Sequence, residues 1–325
     1  KENLDHQMAT GKYSYWTWID AIQMAMPVYA KYTKLTGERK YLDYAMNSYK
    51  WSRDTLAGGL FNKKEGLWWR DKDYVPPYKE KDGKNCYWSR GNGWVYAALV
   101  RVMETLPQTD PHYQYLKEDF IKMSKALLKC QRKDGFWNVS LVSPVTYGGP
   151  EMTGTALFLY GMAWGVRQGI LPLKTYSKSM DKAWTAIASC VHDNGFIGYN
   201  QGTGKDPSAG QPVTFTSVPD FEDYGTGCFI LGAVEYYRLL SKDERWPDGT
   251  SMSPWFHNVS KVDVALLGKR YVVTEYGVKA DSTLVQTAAL QGVIDRAAND
   301  GGGVIVIPQG TFLSGALFFR QGTHL

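Results

Sequence analysis

The feature that most constrains this chain is a helical spacing of apolar residues that continues from its start to about Leu240 and then stops. Apolar side chains recur three or four positions apart, the spacing that puts them on one face of an α-helix. The spacing predicts seven helices, near residues 18–35, 41–57, 93–106, 113–130, 154–169, 174–190 and 225–240. We therefore expect this part of the chain to be all-α.

The seven segments alternate between two compositions. The first, third, fifth and seventh hold small residues such as Ala97, Gly154, Gly161 and Gly225, which allow helices to pack closely. The three segments between them carry more Lys, Asp and Glu, as helices with one face in water do. This alternation predicts helical hairpins arranged as a toroid, with one helix of each pair inside and the other outside.

The character of the sequence changes after the turn-rich stretch W-P-D-G at 246–249, which predicts that the helical domain spans 1–248. Residues 249–269 are predicted to form a linker and first strand region, and 270–325 a second unit. This unit combines strand and helix patterns. The patterns predict strands at Tyr271 to Thr274, Val304 to Ile307 and Thr311 to Phe319, and a helix at about 283–299.

Asp20 is the first candidate for chemistry, because a carboxylate among Trp18, Ile19, Ala21 and Ile22 is costly to bury in its ionised form. Such a group is paired, protonated or directed into a cavity. The alternative is an aspartate in the first turn of a helix, where the helix dipole favours negative charge. The residues alone leave both interpretations open.

The stretch Y-W-S-R-G-N-G-W at 87–94 stands where the third predicted helix begins. Asn92 is predicted to cap that helix, and the glycines on either side allow a ligand to approach the backbone. Arg90 matches a carboxylate with two parallel hydrogen bonds, Trp94 offers a stacking face, and Trp88 belongs to the same candidate site. Together they suit a sugar acid, and the alternative is a capped turn with a surface arginine.

A third cluster, G-L-W-W-R-D-K-D-Y at 66–74, lies in a loop between two helices and is too aromatic for ordinary exposure to solvent. Trp69 and Arg70 are therefore candidates for the wall of a cleft. Two later stretches, P-E-M-T-G-T at 150–155 and D-F-E-D-Y-G-T-G at 220–227, bring polar groups to the starts of inner helices. Helix capping explains these two stretches equally well.

The sequence excludes several kinds of partner. The net charge of +5 is mild, and no run of Lys and Arg marks a nucleic-acid surface. The five histidines lack metal-ligand spacing and there is no nucleotide-binding loop, so neither a metal nor a cofactor is expected. No apolar stretch is long enough to span a membrane. The four cysteines lie far apart, which favours buried free thiols over disulfides.

Four motifs in combination resemble those of glycoside hydrolase family 105. They are W-x-D-A-I-Q-M-A-M-P at 18–27, G-L-W-W-R-D at 66–71, W-S-R-G-N-G-W at 88–94 and E-D-Y-G-T-G at 222–227. The resemblance covers about residues 1–245 and implies an (α/α)6 barrel of twelve helices, of which about seven are counted here. We therefore expect an incomplete barrel whose first part lies outside this chain.

The resemblance also implies an activity. The family removes 4,5-unsaturated galacturonyl residues from the non-reducing end of rhamnogalacturonan fragments by hydrating the double bond. Carried over by motif, Asp20 corresponds to the general acid/base, Arg90 to the arginine that meets the uronate, and Trp94 to a stacking tryptophan. Arg70 lies near a substrate-contacting histidine of many members. The expected partner is an unsaturated pectic oligosaccharide.

Residues 270–325 resemble the start of glycoside hydrolase family 28, through E-Y-G-V-K-A-D at 275–281 and G-G-G-V-I-V-I-P-Q-G-T-F-L-S-G at 301–315. This resemblance implies the opening of a right-handed, polygalacturonase-like β-helix. The catalytic aspartates of that family lie further along its sequence, so this part is expected to supply no chemistry. It favours pectin as the context.

Two alternatives remain for the function. An unsaturated glucuronyl hydrolase acting on glycosaminoglycan fragments shares the barrel and the hydration chemistry. A non-catalytic sugar-binding protein would use Asp20 only to satisfy a helix end. The sequence leaves the oligomeric state open. A periplasmic or secreted bacterial location is expected, with any signal peptide outside this chain.

Overall fold

In the computed structural model, the chain divides into two compact units, Lys1–Asp243 and Glu244–Leu325. The structure describes residues 1–10, 13–202, 207–217, 224–241 and 264–325. Most of the regular structure in these ranges is α-helical. Each unit has an apolar core of its own.

Eight α-helices make up most of the described part of the first unit. They are α1 (Glu2–Ala9), α2 (Asp20–Thr36), α3 (Arg39–Asp54), α4 (Ser89–Met103), α5 (Pro111–Cys130), α6 (Met152–Arg167), α7 (Leu173–Ala188) and α8 (Tyr224–Leu240). The last seven confirm the seven predicted segments, with ends that differ by a few residues. The periodicity does not predict α1, because this short helix has no fully buried side chain and hence no strong apolar stripe.

The helices α2, α4, α6 and α8 form an inner row, in which α2 packs on α4, α4 on α6, and α6 on α8. The helices α3, α5 and α7 pack on α2, α4 and α6 respectively. The two middle helices of the row, α4 and α6, bury nearly every side chain. The predicted alternation of inner and outer helices is confirmed.

Glycines bring the inner helices into close contact. A Cβ atom at Gly161 of α6 would lie 2.3 Å from the Tyr96 ring of α4. A Cβ atom at Gly232 of α8 would lie 2.7 Å from the backbone oxygen of Ala156 of α6. Because such distances are far below van der Waals contact, any larger residue would force these helices apart. The small residues of the inner segments serve the packing role that the sequence predicts.

Two short antiparallel pairs of β-strands lie in the connections between successive pairs of helices. The strands β1 (Phe61–Asn62) and β2 (Leu67–Trp68) pair antiparallel between α3 and α4. The strands β3 (Trp137–Asn138) and β4 (Pro150–Glu151) pair antiparallel between α5 and α6. The first pair therefore ends directly before the predicted site residues of the aromatic loop, and the second ends where α6 begins.

The second unit contains a three-stranded parallel sheet in the order β5 (Arg270–Val272), β6 (Gly303–Val306) and β7 (Thr323–His324). The helix α9 (Thr287–Asn299) packs on β6. The elements β5, β6 and α9 confirm two of the predicted strands and the predicted helix. The strands are few and short, and the described ones by themselves do not make a β-helix.

The predicted strand at 311–319 is wrong. Within it, only Leu313 forms an isolated parallel bridge, with Val285. Near its end, the backbone N–H of Phe318 donates to Gln291 Oε1 at 2.8 Å, and Gln291 Nε2 donates to the Phe318 carbonyl at 2.8 Å. A side chain of α9 therefore satisfies backbone groups that a neighbouring strand would otherwise have bonded.

No helix in the described ranges is long and apolar enough to cross a membrane. None of the four cysteines, all in the described ranges, forms a disulfide: Cys86, Cys190 and Cys228 are buried, and Cys130 is half-buried. Burial raises the pKa of Cys130 to about 11 and that of Cys190 to about 12. These two thiols are therefore protonated at neutral pH, the form in which a thiol is a poor nucleophile.

Candidate active site

Asp20 is the first residue of α2, and backbone contacts fix it beside the loop that follows β2. The backbone N–H of Ile19 donates to the Arg70 carbonyl at 3.0 Å, and Trp18 forms an antiparallel bridge with Asp71. The residues directly before Asp20 are thereby tied to Arg70 and Asp71. Two predicted site residues that are distant in sequence, Asp20 and Arg70, are brought together.

Asp20 as a whole residue is half-buried, and the Oδ2 atom of its carboxyl group is buried without a hydrogen-bond partner among the described residues. Burial raises the pKa of Asp20 above its ordinary value. The positive charges of Arg70 and Arg90 oppose this shift, and the negative charge of Asp71 adds to it. The net direction is upward, as an acid that donates a proton near neutral pH requires.

Arg70 and Asp71 form an ion pair beside Asp20. The Nη1 atom of Arg70 donates to Asp71 Oδ2, and Asp71 Oδ1 accepts from the backbone N–H of Asp73 at 2.8 Å. Both carboxylate oxygens of Asp71 are thus engaged. The Nε atom of Arg70, by contrast, is buried and has no partner within the described ranges.

Arg90 lies in the first turn of α4 and is only 3% exposed, so the interpretation as a surface arginine is wrong. Its Nη1 atom donates to the Gln201 carbonyl at 2.5 Å and to Tyr224 Oη at 3.1 Å, and Nη2 donates to the Gly202 carbonyl at 3.2 Å. The rings of Trp88 and Tyr224 lie 4.8 and 5.0 Å from its guanidinium carbon. These partners hold the guanidinium through carbonyl, hydroxyl and aromatic groups, none of which carries a charge.

Gln201 is a part of the site that the sequence does not reveal. Its side chain is fully buried; Oε1 accepts from Trp88 Nε1 at 2.9 Å, and Nε2 donates to the Ala209 carbonyl at 2.7 Å. Its backbone carbonyl accepts from both Arg90 and Tyr224. Because the stretch around it has no helical or strand periodicity, only the contacts across the fold identify its role.

The remaining predicted tryptophans lie in different surroundings. Trp94 is buried in the core as part of α4. Trp69 lies 5.7 Å from the Tyr87 ring, centroid to centroid, and lines a cavity of about 310 Å³ with Arg53. Asp20 does not line that cavity. A larger cavity, of about 450 Å³, is lined by none of the predicted site residues.

Asn92 does not cap α4, because the helix already begins at Ser89 and Asn92 lies inside it. Its side chain is fully buried. Oδ1 accepts from the backbone N–H of Trp68 at 2.8 Å, and Nδ2 donates to the carbonyls of Trp68 and Trp88, both at 2.9 Å. Asn92 therefore fixes β2, and with it the start of the loop that carries Arg70, on α4.

The polar groups at 150–155 serve a helix end. Glu151 is fully buried at the N-cap of α6, where Oε1 accepts from the backbone N–H of Thr153 at 3.0 Å and Oε2 from that of Gly154 at 2.6 Å. The capping interpretation of this stretch is confirmed. Of the stretch at 220–227, the acidic residues lie outside the described residues, which resume at the start of α8.

The arrangement places one protonatable carboxyl group near two guanidinium groups. A half-buried acid with a raised pKa can donate a proton, and the guanidinium groups attract an anionic substrate to the same place. Across the ranges that the structure describes, no group of three or more His, Cys, Asp and Glu side chains is placed to hold a metal ion. The described residues can supply acid/base chemistry on an anionic ligand.

This fold is found in known proteins. The family model described as Glycosyl Hydrolase Family 88 matches residues 3–240. The chain is 36% identical over 236 residues to an unsaturated 3S-rhamnoglycuronyl hydrolase of Formosa agariphila, covering 71% of this chain and 60% of that protein. It is 36% identical over 238 residues to a protein of the same name from an Alteromonas species, covering 71% and 55%.

Solved structures agree with the sequence matches. A glycosyl hydrolase family 88 structure from Bacteroides vulgatus matches 73% of this chain and 67% of its own, with 36% identity and a TM-score of 0.68. A Salmonella enterica structure described as a possible member of the GH105 family matches 68% and 56%, with 26% identity and a TM-score of 0.55. The similarity to family 105 inferred from the motifs thus extends to a structure, while the matching family model describes family 88.

The matches cover only part of the relatives and only part of this chain. The chain spans 60% and 55% of the lengths of the two curated relatives. The family match ends at residue 240, before the second unit begins, and the described strands of that unit do not make the β-helix that the sequence predicts. Over the helical unit the family model and both relatives agree. The chain belongs to glycosyl hydrolase family 88.

Proposed function

We propose that this chain is an unsaturated rhamnogalacturonyl hydrolase. It removes 4,5-unsaturated galacturonyl residues from the non-reducing end of rhamnogalacturonan oligosaccharides by hydrating the C4=C5 double bond. The observation that carries the proposal is the Asp20 carboxyl group, which has a raised pKa and a buried oxygen unpartnered among the described residues. The names of the two relatives support an unsaturated glycuronyl substrate.

The chemistry of the substrate explains why one carboxyl group is sufficient. The unsaturated uronide is a vinyl ether, so transfer of the Asp20 proton to C4 leaves an oxocarbenium ion at C5. Water adds to C5 and returns a proton to the Asp20 carboxylate. The resulting hemiketal opens to a ketone, and C1, now a hemiacetal, releases the aglycone. Direct displacement at C1 would instead require two carboxyl groups across the scissile bond.

Two arginines and three tryptophans are proposed to make the substrate contacts. Arg90 is proposed to meet the uronate carboxylate, because its charge reaches Asp20 from the start of α4. Arg70 is proposed as a second contact, since one of its donors is unpartnered within the described ranges. Trp88, Trp94 and Trp69 are proposed as stacking or wall residues.

We propose pectin as the source of the substrate, because residues 270–325 resemble the opening of a polygalacturonase-like β-helix. The parallel order of β5, β6 and β7, with α9 packed on β6, supports this resemblance. The pectic context also supports a periplasmic or secreted location. Because the second unit is proposed to carry no chemistry, the chain should release no reducing ends from saturated polygalacturonan.

We further propose that α2 to α8 belong to an (α/α)6 barrel that these helices do not complete. Within the described inner row, the end helices α2 and α8 expose apolar side chains, including Met24 and Val28 on α2 and Ile230 and Val234 on α8. Further helices packed on these faces would cover them. The greater length of both curated relatives supports the same proposal.

A second candidate substrate is favoured by the relatives themselves. Both are named unsaturated 3S-rhamnoglycuronyl hydrolases, so an unsaturated glycuronyl residue linked to a 3-sulfated rhamnose is the alternative. The hydration chemistry is the same for both substrates. The difference lies in a sulfate on the neighbouring sugar, which a cationic group beside the site would bind.

The test of the activity is the loss of the ultraviolet absorbance of the conjugated uronate. We expect the full chain to bleach unsaturated galacturonyl-rhamnose and Asp20→Asn to be inactive while remaining folded, because the amide cannot donate the proton. Asp73→Asn is the matched control, since Asp73 is an exposed aspartate near the same site and should leave the rate unchanged. More than about a tenth of the wild-type kcat in Asp20→Asn would remove Asp20 from the acid/base role.

The substrate is identified by comparing kcat/KM on three unsaturated disaccharides. They carry rhamnose, 3-sulfated rhamnose, or the N-acetylgalactosamine of a chondroitin disaccharide. Preference for the first supports pectin, preference for the second supports the alternative named by the relatives, and preference for the third supports a glycosaminoglycan hydrolase. Binding of all three without turnover would show a non-catalytic sugar-binding protein.

A further inference from the structure

The loop after β2 contains two adjacent ion pairs in contrasting surroundings. The Arg70 and Asp71 side chains are 18% and 11% exposed, and their backbones are fixed to the residues that precede Asp20. The Lys72 and Asp73 side chains are 70% and 72% exposed, with Nζ and Oδ1 2.8 Å apart. Both pairs join one cation and one anion. Only the first lies beside Asp20, and the second faces solvent.

We propose that Arg70 and Asp71 act as a positioning pair for Asp20. Asp71 holds the Arg70 guanidinium group beside the Asp20 carboxyl group and offsets part of its charge, so that Asp20 can carry a proton in one step and release it in the next. The proposal rests on the proposed function, in which Asp20 is both the acid and the base.

The balance of charges explains why both members of the pair are needed. An opposite charge within a few ångströms lowers a carboxyl pKa, so Arg70 offsets part of the upward shift that burial causes. Without Asp71, the charge of Arg70 would lower the pKa of Asp20 further and disfavour the form that donates a proton. Without Arg70, the pKa of Asp20 would rise further and disfavour the form that accepts a proton from water.

The hydrogen bonds around the pair support a role beyond structure. The charged groups that act on Asp20 among the described residues are Arg70 and Asp71 from the loop and Arg90 from α4. Of these groups, Asp71 has both oxygens bonded, whereas Arg70 Nε has no partner in the described part of the chain. Asp20 Oδ2 is likewise unpartnered there. If these side chains had only a structural role, the Arg70 Nε donor and the Asp20 Oδ2 acceptor would each be bonded, because leaving them buried and unbonded costs stability.

The test is the pH dependence of kcat/KM for the full chain on the preferred unsaturated disaccharide. Because the reaction needs protonated Asp20, the rate falls as the pH rises through the pKa of Asp20. Arg70→Gln removes a cation that lowers this pKa, so the alkaline limb should move up by about one pH unit. Asp71→Asn removes an anion that raises this pKa, and the limb should move down by a smaller amount, because Asp71 acts on Asp20 less strongly than Arg70 does.

Two further variants separate charge from structure. Arg70→Lys retains the positive charge and should keep the limb near its wild-type position, even if the rate falls. Asp73→Asn changes an equivalent aspartate outside the site and should move nothing. Opposite shifts in Arg70→Gln and Asp71→Asn support the positioning pair. Lower rates with an unmoved limb in both variants would overturn it, and so would a limb in Arg70→Lys that follows Arg70→Gln.

These outcomes are distinct from a failure of the proposed function. If the wild-type chain converts none of the unsaturated disaccharides, the function is wrong. If the wild type is active, Asp20→Asn is inactive, and the limb stays in place in both neutral variants, the function stands and the positioning pair alone is wrong.

Discussion

Two arginine–aspartate pairs in the described part of the first unit differ in how completely their hydrogen bonds are made. Between α3 and α5, Arg53 Nε and Nη2 donate to the two carboxylate oxygens of Asp119 at 2.6 and 2.7 Å, and Tyr49 Oη donates to Asp119 Oδ2 at 2.9 Å. Asp119 is only 1% exposed. In the loop after β2, Arg70 bonds Asp71 through one nitrogen and leaves Nε unpartnered within the described ranges.

The difference separates groups that hold the fold from groups that are available for chemistry. Burying charges costs several kcal/mol per ion, and a full set of hydrogen bonds is what offsets that cost. The pair between α3 and α5 has such a set, because all three guanidinium nitrogens of Arg53 and both carboxylate oxygens of Asp119 are bonded. The pair beside Asp20 is incomplete, as a site that must bind and react requires. We therefore expect changes to the first pair to alter stability and changes near the second to alter catalysis.

Arg53→Met should have the largest effect, because it leaves the Asp119 carboxylate buried without its bidentate partner. We expect the free energy of unfolding of the first unit to fall by about 3–5 kcal/mol, measured by urea denaturation. Lys63→Met is the control, because Lys63 pairs with Asp54 at the surface and should change stability by at most about 1 kcal/mol. A loss of that small size for Arg53→Met would show that the complete pair does not hold the fold.

Arg90→Lys should have the next largest effect, on catalysis. A point ammonium cannot reproduce the planar group that contacts Gln201, Gly202 and two aromatic rings. We expect kcat/KM on the acid substrate to fall by an amount that corresponds to a loss of about 1.5–3 kcal/mol in transition-state stabilisation, the range for a charged hydrogen bond. The methyl ester should be affected less, and Arg101→Lys, at the one α4 residue that is not buried, should change neither. Equal losses for acid and ester would reduce Arg90 to a group that organises its neighbours.

Tyr49→Phe sharpens the comparison from within the complete pair. The variant removes one of the three hydrogen bonds to Asp119 and leaves the bidentate contact of Arg53 in place. We expect a loss of about 1 kcal/mol in the free energy of unfolding. Tyr115→Phe, whose hydroxyl donates to an exposed Asp54 oxygen at 3.3 Å, is the control and should cost less. Equal losses of stability in the two variants would mean that the buried hydrogen bond to Asp119 contributes no more than the exposed one to Asp54.

Asp20→Asn should have the smallest effect on stability and the opposite sign. Burial raises the folded-state pKa of Asp20 above its unfolded value, so ionisation of Asp20 disfavours the fold at every pH above that unfolded value. Asn removes this cost, and we expect the inactive variant to be more stable than the wild type at neutral pH. The gain should disappear as the pH falls below the unfolded pKa of Asp20. A variant that is less stable at neutral pH would place Asp20 among the groups that hold the fold.

The sequence predicts the helices of the first unit well, because each buries a stripe of side chains that repeats with the helical period. It also singles out Asp20 as a candidate, because apolar neighbours on both sides make a carboxylate conspicuous, and its catalytic role stays a prediction. The sequence does not predict the role of Asn92 or Gln201, whose partners lie across the fold. The same holds for the Arg53–Asp119 pair, since nothing local to either residue indicates the other.

The failed strand at 311–319 shows a different limit. Its apolar pattern is that of a strand, but strand formation depends on which groups are nearby to bond the backbone. Here the side chain of Gln291 on α9 bonds both the N–H and the carbonyl of Phe318. A sequence pattern describes which face of a segment is apolar and does not describe the partner of its backbone.

The burial of α4 and α6 around almost their whole circumference determines which parts of the chain open first. Neither helix can leave the core without exposing the helices on both sides of it, so their amide protons should exchange with solvent only when the whole unit opens. The helices α2 and α8, at the two ends of the inner row, each have one exposed face. Their amide protons should exchange earlier than those of α4 and α6, through local fraying. Asp20 stands at the first turn of α2, in the early-opening part, whereas Arg90 stands at the first turn of α4, in the late-opening part. The two principal groups of the candidate site therefore belong to regions of unequal rigidity. We expect the part of the site around Asp20 to adjust to an incoming ligand while the part around Arg90 stays in place.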